Sequence, residues 1–326
     1  MDKILVIKPS SLGDIVQAMP VAAALKKQYP RCRIDWFVFH PYRDLFREHH
    51  YVDRVWFSPP RGWWSPLQWG DAMKLFSRWK AERYDCAVDL QGLFRSGVLT
   101  AFSGARRRVG LSGSREGASW FYGEIHTTRA IHAAKRYLEA ASYLGVKDAD
   151  PFDFGLAAAP PVAQLASENK PYVVIHPFAR WATKLWPWAY YERVIHNFPD
   201  ARFVVVGRGD LEKRLPPNAV DMRKESSLWS LMCILRNAAA VISSDSGPAH
   251  LAAAYGVPTL VLFGPTDPSR TAPVGRKVEL FKAEGVSCSP CLRRKCRNEE
   301  PLLCMTSITP DRLIVRLREV IRSWAY

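Results

Sequence analysis

Short β-branched runs, each closed by a turn of small and polar residues and followed by a helical stretch, recur along this sequence and restrict it to an α/β fold built on parallel sheets. The first run is Lys3-Ile4-Leu5-Val6-Ile7-Lys8, which reads as a buried strand. The turn Pro9-Ser10-Ser11-Leu12-Gly13-Asp14 follows it, then a helix whose apolar face is Ile15, Met19, Ala22 and Leu25 at helical spacing. Pro20 lies inside that pattern and is expected to kink it.

Further strands are predicted at Ile34–Val38, Cys86–Leu90 and Arg108–Leu111, with helices near Ala72–Glu82 and Lys135–Leu144. Between about residues 150 and 170 the periodicity lapses into Asp150-Pro151, Ala157-Ala158-Ala159-Pro160-Pro161 and Ser167-Glu168-Asn169, a linker composition. A second series begins at the strand Tyr172–Ile175 and continues through a helix from Pro187, strand Arg202–Val206, helix Ser227–Arg236, strand Val241–Ser243, helix Pro248–Tyr255 and strand Thr259–Phe263. At 326 residues the chain is long for one core and fits two units of about 150 residues. The expected organisation is therefore two Rossmann-like, doubly wound domains facing a central cleft, residues 1–160 and 161–308, and a C-terminal segment 309–326 whose helix starts at Pro310. In such sheets ligands bind at the carboxyl ends of the strands, which directs attention to residues 8–14, 176–184, 207–210 and 244–250.

The balance of 46 Lys+Arg against 31 Asp+Glu, a formal +15, implies an anionic partner: a phosphosugar, a charged membrane surface or nucleic acid. An RNA-binding protein is disfavoured because no RNP, KH or zinc-finger pattern occurs and the basic residues are spread over both halves. The N-terminal apolar stretch Ile4–Ile7 is too short for a signal peptide, and no later run approaches about 18 apolar residues, so a cytoplasmic location is expected. Neither Gly-x-Gly-x-x-Gly nor Gly-x4-Gly-Lys-Ser/Thr is present, which disfavours a nicotinamide enzyme or a kinase.

Three loops carry chemistry. Ser244-Asp245-Ser246-Gly247-Pro248-Ala249-His250 joins a buried strand to an alanine-rich helix, and its small residues leave backbone N–H groups at a helix N-terminus open to a diphosphate. His250 could donate to a phosphate oxygen or cap the helix, and Asp245 and Ser246 could themselves be N-caps. Arg180-Trp181-Ala182-Thr183-Lys184-Leu185-Trp186-Pro187 offers a lysine and a threonine ahead of a helix start, suited to phosphate, although a lysine there is also an ordinary surface residue. Asp14 ends the first loop either as an N-cap or as a carboxylate able to take a proton from an attacking hydroxyl.

Lys8-x-Ser10-Ser11-Leu12-Gly13-Asp14 with Pro20, Asp89-x-Gln91-Gly92, Lys184-x-Trp186-Pro187, and Ser244-Asp245-Ser246-Gly247-x-x-His250 followed by Phe263-Gly264-Pro265-Thr266-Asp267-Pro268 together resemble glycosyltransferase family 9, the ADP-heptose:lipopolysaccharide heptosyltransferases. The motifs occur in the family's order from Lys3 to about Pro268. The resemblance implies a GT-B architecture with an N-terminal acceptor domain, a C-terminal nucleotide-sugar domain and a last helix returning to the first domain. It implies an inverting heptosyl transfer from ADP-heptose to the inner core of lipopolysaccharide, with no cofactor and no metal, on the inner face of a bacterial inner membrane. Asp14 would be the general base. Thr183, Lys184, Asp245, Ser246, Gly247 and His250 would bind the donor, and Ser11, Gly13, Gln91 and Arg61 the acceptor. Alternatives are a family member using another nucleotide sugar and glycan acceptor, and a nucleotide-sugar epimerase. The loops His176-Pro177-Phe178-Ala179-Arg180 and Gly207-Arg208-Gly209-Asp210 depart from the family's usual versions.

Weaker features are Arg61-Gly62-Trp63-Trp64 and Arg106-Arg107-Arg108 with Arg115, which fit an anionic lipid-linked acceptor at a membrane surface or a solvated basic face. Arg95 and His132 are further candidates for an acceptor sugar. Cys288, Cys291, Cys296 and Cys304 cluster late in the chain, the first pair at zinc-knuckle spacing; a structural zinc, a disulfide pair and four free thiols all fit.

Overall fold

The computed structural model describes residues 1–58, 69–166, 170–211, 214–224 and 227–322. The chain divides into two compact units, Met1–Ala157 and Ala158–Tyr326.

In the first unit β1 (Lys3–Ile7), β2 (Arg33–Val38), β3 (Arg54–Phe57), β4 (Cys86–Asp89), β5 (Arg107–Leu111) and β6 (Glu124–His126) form one sheet in the order β3-β2-β1-β4-β5-β6. Every pairing is parallel. The helices are α1 (Leu12–Ala18), α2 (Pro20–Gln28), α3 (Trp69–Glu82), α4 (Phe94–Phe102) and α5 (Ala133–Tyr143). Central β1 must be apolar on both faces, and Ile4 to Ile7 are all 0% exposed. Pro20 breaks the first helix in two: it opens α2, in the helix's first turn, where its missing N–H leaves no intrahelical bond unmade. Ile15, Met19, Ala22 and Leu25 stay buried across the break. Leu5, Ile7 and Phe37 pack on Phe76, Trp79 and Tyr84. The buried Asp35 carboxylate is satisfied by Arg33 (2.9 and 2.7 Å), Trp56 Nε1 (3.1 Å) and the Tyr84 hydroxyl (2.5 Å), the pairing a buried charge requires.

The second unit repeats the pattern with β7 (Tyr172–His176), β8 (Arg202–Val205), β9 (Ala219–Asp221), β10 (Ala240–Ser244), β11 (Thr259–Phe263) and β12 (Val278–Lys282), ordered β12-β11-β10-β7-β8-β9. Its helices are α6 (Ala163–Ala166), α7 (Trp188–His196), α8 (Leu228–Arg236), α9 (Gly247–Ala254), α10 (Pro268–Thr271), α11 (Leu303–Thr306) and α12 (Pro310–Arg322). Counted from their own first strand, both sheets have the order 3-2-1-4-5-6 of the doubly wound fold.

The last helix, α12, lays Leu313, Ile314 and Leu317 into the second unit's core beside Tyr191, Val194 and Ile195 of α7. Arg193 meets Asp311 at 2.7 Å, and Trp186 Nε1 donates to the Ile308 carbonyl at 2.8 Å just ahead of the helix. The apolar stripe of α12 is thus used on the unit from which the chain has just emerged. Among the described residues no helix is long and apolar enough to cross a membrane.

Candidate active site

Each sheet reverses its winding direction once, between β1 and β4 in the first unit and between β7 and β10 in the second, and the loops leaving those strands diverge to open a crevice. Ser11, Gly13, Asp14, Gln91, Thr183, Lys184, Asp245, Ser246, Gly247 and His250 fall on these four loops and on the helix starts that follow them.

At the first switch point Ser11 is the N-cap of α1 and Asp14 its third residue, not the cap. The Asp14 carboxylate reaches back to the Ser11 N–H (3.2 Å) and accepts from the Ser11 hydroxyl (2.6 Å), a capping-box arrangement that fixes the carboxylate at the positive end of the helix. Gly13 is buried and Asp14 half-buried. From the facing loop Gln91 Oε1 accepts from the Ser10 N–H at 3.4 Å. That loop is shaped by Asp89, fully buried, which accepts from the N–H groups of Gln91 (2.7 Å) and Gly92 (3.1 Å) and from the Tyr122 hydroxyl (2.7 Å). Burial raises the Asp89 carboxyl above its ordinary range despite these donors. Lys8, 2% exposed, lies 4.8 Å from the Tyr137 ring centroid. Burial pulls its ammonium down, but Tyr137, Asp14 and Asp89 outweigh this and hold it above the usual lysine value.

The first unit thus brings together Ser11, Gly13, Asp14 and Gln91. Arg61, Trp63 and Trp64 lie outside the described residues. His132 caps α5, its Nδ1 accepting from the Ala134 N–H at 3.3 Å, so this histidine has a structural role. The basic run is partly neutralised, since Arg107 forms a two-pronged pair with Glu124 at 2.8 Å.

At the second switch point Ser243 pairs with His176 across β10 and β7. Asp245, 7% exposed, gathers side chains from three other positions. Lys184 Nζ lies 2.5 Å from its Oδ2, the Thr266 hydroxyl donates to the same oxygen at 2.8 Å, and His250 Nε2 stands 3.9 Å from Oδ1. The lysine reaches that position from a short 3-10 turn, Ala182–Lys184, and its ammonium lies 4.9 Å from the Trp181 ring centroid. Ser246 occupies the N-cap position of α9 but its hydroxyl does not cap; it turns to His176 Nδ1 (3.2 Å) and Ser243 Oγ (2.9 Å). Burial lowers His176 to about 4, so at neutral pH it meets these hydroxyls as a neutral ring. A lysine, a helix N-terminus and half-buried Ser246 and Gly247 beside it are groups that can meet an anion.

Lys184, Asp245, Ser246, Gly247 and His250 are therefore assembled together. Thr183 differs from expectation: it is 3% exposed and its hydroxyl donates to the Arg293 carbonyl at 2.7 Å, which commits it to the chain 286–302. Sequence reasoning quoted His176 and Thr266 only within longer stretches and gave neither a role. Each ends or follows a β-branched strand next to β10, and strand-end position was the signal available. The four late cysteines form no disulfide, and among the described residues no three His, Cys, Asp or Glu side chains are gathered as a metal ion requires.

The fold has solved counterparts. The E. coli heptosyltransferase WaaC, solved with ADP, superposes with a TM-score of 0.78 at 24% identity, covering 98% of this chain and 99% of that one. Two doubly wound units in one chain are the architecture of the GT-B class of glycosyltransferases. Within that class the model for glycosyltransferase family 9 (heptosyltransferase) matches residues 72–301, and the chain belongs to this family. Among its relatives are lipopolysaccharide heptosyltransferase 1 of Pseudomonas aeruginosa, 29% identical with 98% of both chains covered, and lipopolysaccharide heptosyltransferase 1 of Salmonella typhimurium, 29% identical over 88% of this chain and 94% of its own.

Proposed function

We propose that this enzyme transfers heptose from ADP-heptose to the inner core of lipopolysaccharide, with inversion at the anomeric carbon. Two arrangements, each within its own unit, support the mechanism: a carboxylate fixed on α1, and a lysine beside the N-terminus of α9.

Asp14 takes the proton from an acceptor hydroxyl as that oxygen forms its bond to the anomeric carbon. The bond from that carbon to the diphosphate breaks on the opposite side, and its electron pair leaves on a phosphate oxygen. Lys184 and the first amides of α9, those of Ser246 and Gly247, meet the charge that develops there; Pro248 has no N–H to give. Asp245 keeps Lys184 and His250 aimed, and Gln91, Ser11 and Gly13 border the acceptor hydroxyl. The +15 balance favours an anionic, lipid-linked acceptor reached from the cytoplasmic side, with the protein at the inner-membrane surface.

The test is ADP release from ADP-heptose with and without a heptose-deficient lipopolysaccharide core. Acceptor-dependent release is expected, and Asp14→Asn should lower it by about 10²–10⁴-fold, the usual worth of a general base, while ADP still binds. Conversion of the donor without acceptor would sink the transfer reading in favour of an epimerase. Unchanged turnover in Asp14→Asn would remove Asp14 from its role.

A further inference from the structure

The segment between β12 and α11 has no regular structure, yet residues 289–294 are fixed against the donor site. Ser289 Oγ donates to the Gly264 carbonyl (2.6 Å) and the Leu292 N–H to the Pro265 carbonyl (2.8 Å). Leu292 takes φ 56°, a left-handed conformation that a leucine adopts only where its surroundings impose it, and the chain turns there. Directly after the turn the Arg293 carbonyl accepts from the buried Thr183 hydroxyl (2.7 Å), and the Arg294 guanidinium lies 5.5 Å from the centroid of the Trp181 ring. Lys184 stands over the same ring, at 4.9 Å. Two contacts thus hold residues 293 and 294 in register with 181–184, and one indole carries two cations.

The fixed charges of the donor site leave room for the second cation. Lys184 Nζ lies 2.5 Å from Asp245 Oδ2, so toward an approaching ligand the two charges nearly cancel. The N-terminus of α9 adds about half a positive charge, and Pro248 in its first turn has no N–H to give. A diphosphate calls for more than this, most of all as its bond to the sugar breaks and negative charge gathers on the departing nucleoside diphosphate. Arg294 is exposed, and contact with a ring face uses none of its N–H donors, whose fork matches phosphate oxygens. Lys184 Nζ and Arg294 Cζ are no more than 10.4 Å apart, the two ring distances taken together. A diphosphate making contacts of about 2.8 Å at each end spans that gap.

We propose that Arg294 is a second phosphate-binding cation of the donor site, set on the Trp181 ring so that it and Lys184 grip the diphosphate of the sugar nucleotide together. The proposal rests on the donor-site reading above and adds to it a residue from outside the switch-point loops. Arg294 supplies the positive charge that Lys184 shares with Asp245. Thr183, through its bond to the Arg293 carbonyl, fixes the place from which the arginine reaches.

Calorimetric titration of the full-length protein with ADP, at low and at high salt, tests this. Arg294→Gln should weaken ADP binding about tenfold at low salt, the worth of one hydrogen-bonded charge contact, and by clearly less at high salt, with Tm unchanged. Arg294→Lys, which keeps the charge, should recover most of the loss. Trp181→Leu should weaken ADP binding as well, and Arg294→Gln added to it should cost little more, because the ring no longer sets the arginine in place. Equal ADP affinity in the wild type and Arg294→Gln overturns the proposal. So does a loss that is the same at both salt concentrations and that lysine does not restore, since residue 294 would then act as a brace and not as a charge. If the wild type itself does not bind ADP, the donor-site reading falls, and the assignment of Arg294 falls with it.

Discussion

Asp245→Asn isolates one electrostatic decision in the second unit. Amide and carboxylate have the same shape, so no cavity forms, and the Thr266 hydroxyl keeps its acceptor. What changes is charge: Lys184, whose side chain is 16% exposed, loses the counterion 2.5 Å away. Removing one partner of a buried ion pair costs about 3–5 kcal/mol because the remaining charge is left uncompensated. The residual exposure of Lys184 and the neutral acceptor that remains place this case at the low end, about 3 kcal/mol. At about 2–4 °C per kcal/mol for a unit of this size, calorimetry should find the second unit's transition about 6–12 °C lower. Lys184→Met added to Asp245→Asn removes the orphaned charge and should recover most of the loss, so that the double variant is far more stable than the sum of the singles. ADP, which brings an anionic group back to Lys184, should raise the Tm of Asp245→Asn more than that of the wild type and leave Lys184→Met almost unmoved. A Tm for Asp245→Asn within about 2 °C of wild type would refute the view of this pair as buried and mutually dependent, as would strict additivity in the double variant.

Acid should destabilise both units. Burial lowers His49 in the first and His176 in the second to about 4, against about 6.5 for an unfolded histidine, so the unfolded chain takes up these protons first. Stability is complete above about pH 6.5 and falls toward pH 4, by up to about 3 kcal/mol for each histidine; a urea midpoint that stays flat from pH 7 to 4.5 would contradict this. Gly110→Ala would set a methyl group 2.0 Å from the Tyr122 ring, whose hydroxyl holds Asp89 and through it the Gln91 loop. Overpacking of this kind costs about 1–3 kcal/mol, and acceptor KM should rise with the stability loss while ADP affinity holds; an unchanged KM would disconnect Tyr122 from the acceptor loop.

The interior of both sheets was legible in the sequence because a strand flanked on both sides in a parallel sheet must be apolar on both faces. β1, β2, β4 and β5 and their counterparts β7, β8, β10 and β11 announce themselves as runs such as Ile4–Ile7 and Thr259–Phe263. The four strands that passed unread, β3, β6, β9 and β12, are the four sheet edges. An edge strand has one neighbour and one wet side, so Arg54–Phe57 and Glu124–His126 mix charge with apolar residues and carry no two-faced signal. The switch-point loops were found for the same reason as the inner strands, since they begin where those runs end.

What the sequence could not convey is which side chains face the substrate and which hold the residues that do. Thr183 and Lys184 are neighbours in a loop rich in possible phosphate ligands, and both fit a diphosphate by residue type. In the folded chain adjacent side chains diverge: Lys184 turns to Asp245, and Thr183 turns to a carbonyl 110 residues further on. Ser246 makes the same point from the other direction, for it occupies the N-cap position of α9 yet gives its hydroxyl to His176. Local pattern places a residue on a loop, whereas its role is fixed by a partner remote in sequence. Those partners, His176, Thr266 and Arg293, come from the end of a neighbouring strand, from the loop after another, or from a segment without periodicity. The donor site is consequently a product of tertiary structure laid over a readable motif, and substitutions at its supports should change donor affinity and stability together. Substitution of Asp14 should instead lower turnover while donor affinity holds, with its stability cost confined to the first unit through the Ser11 capping box and the buried Lys8.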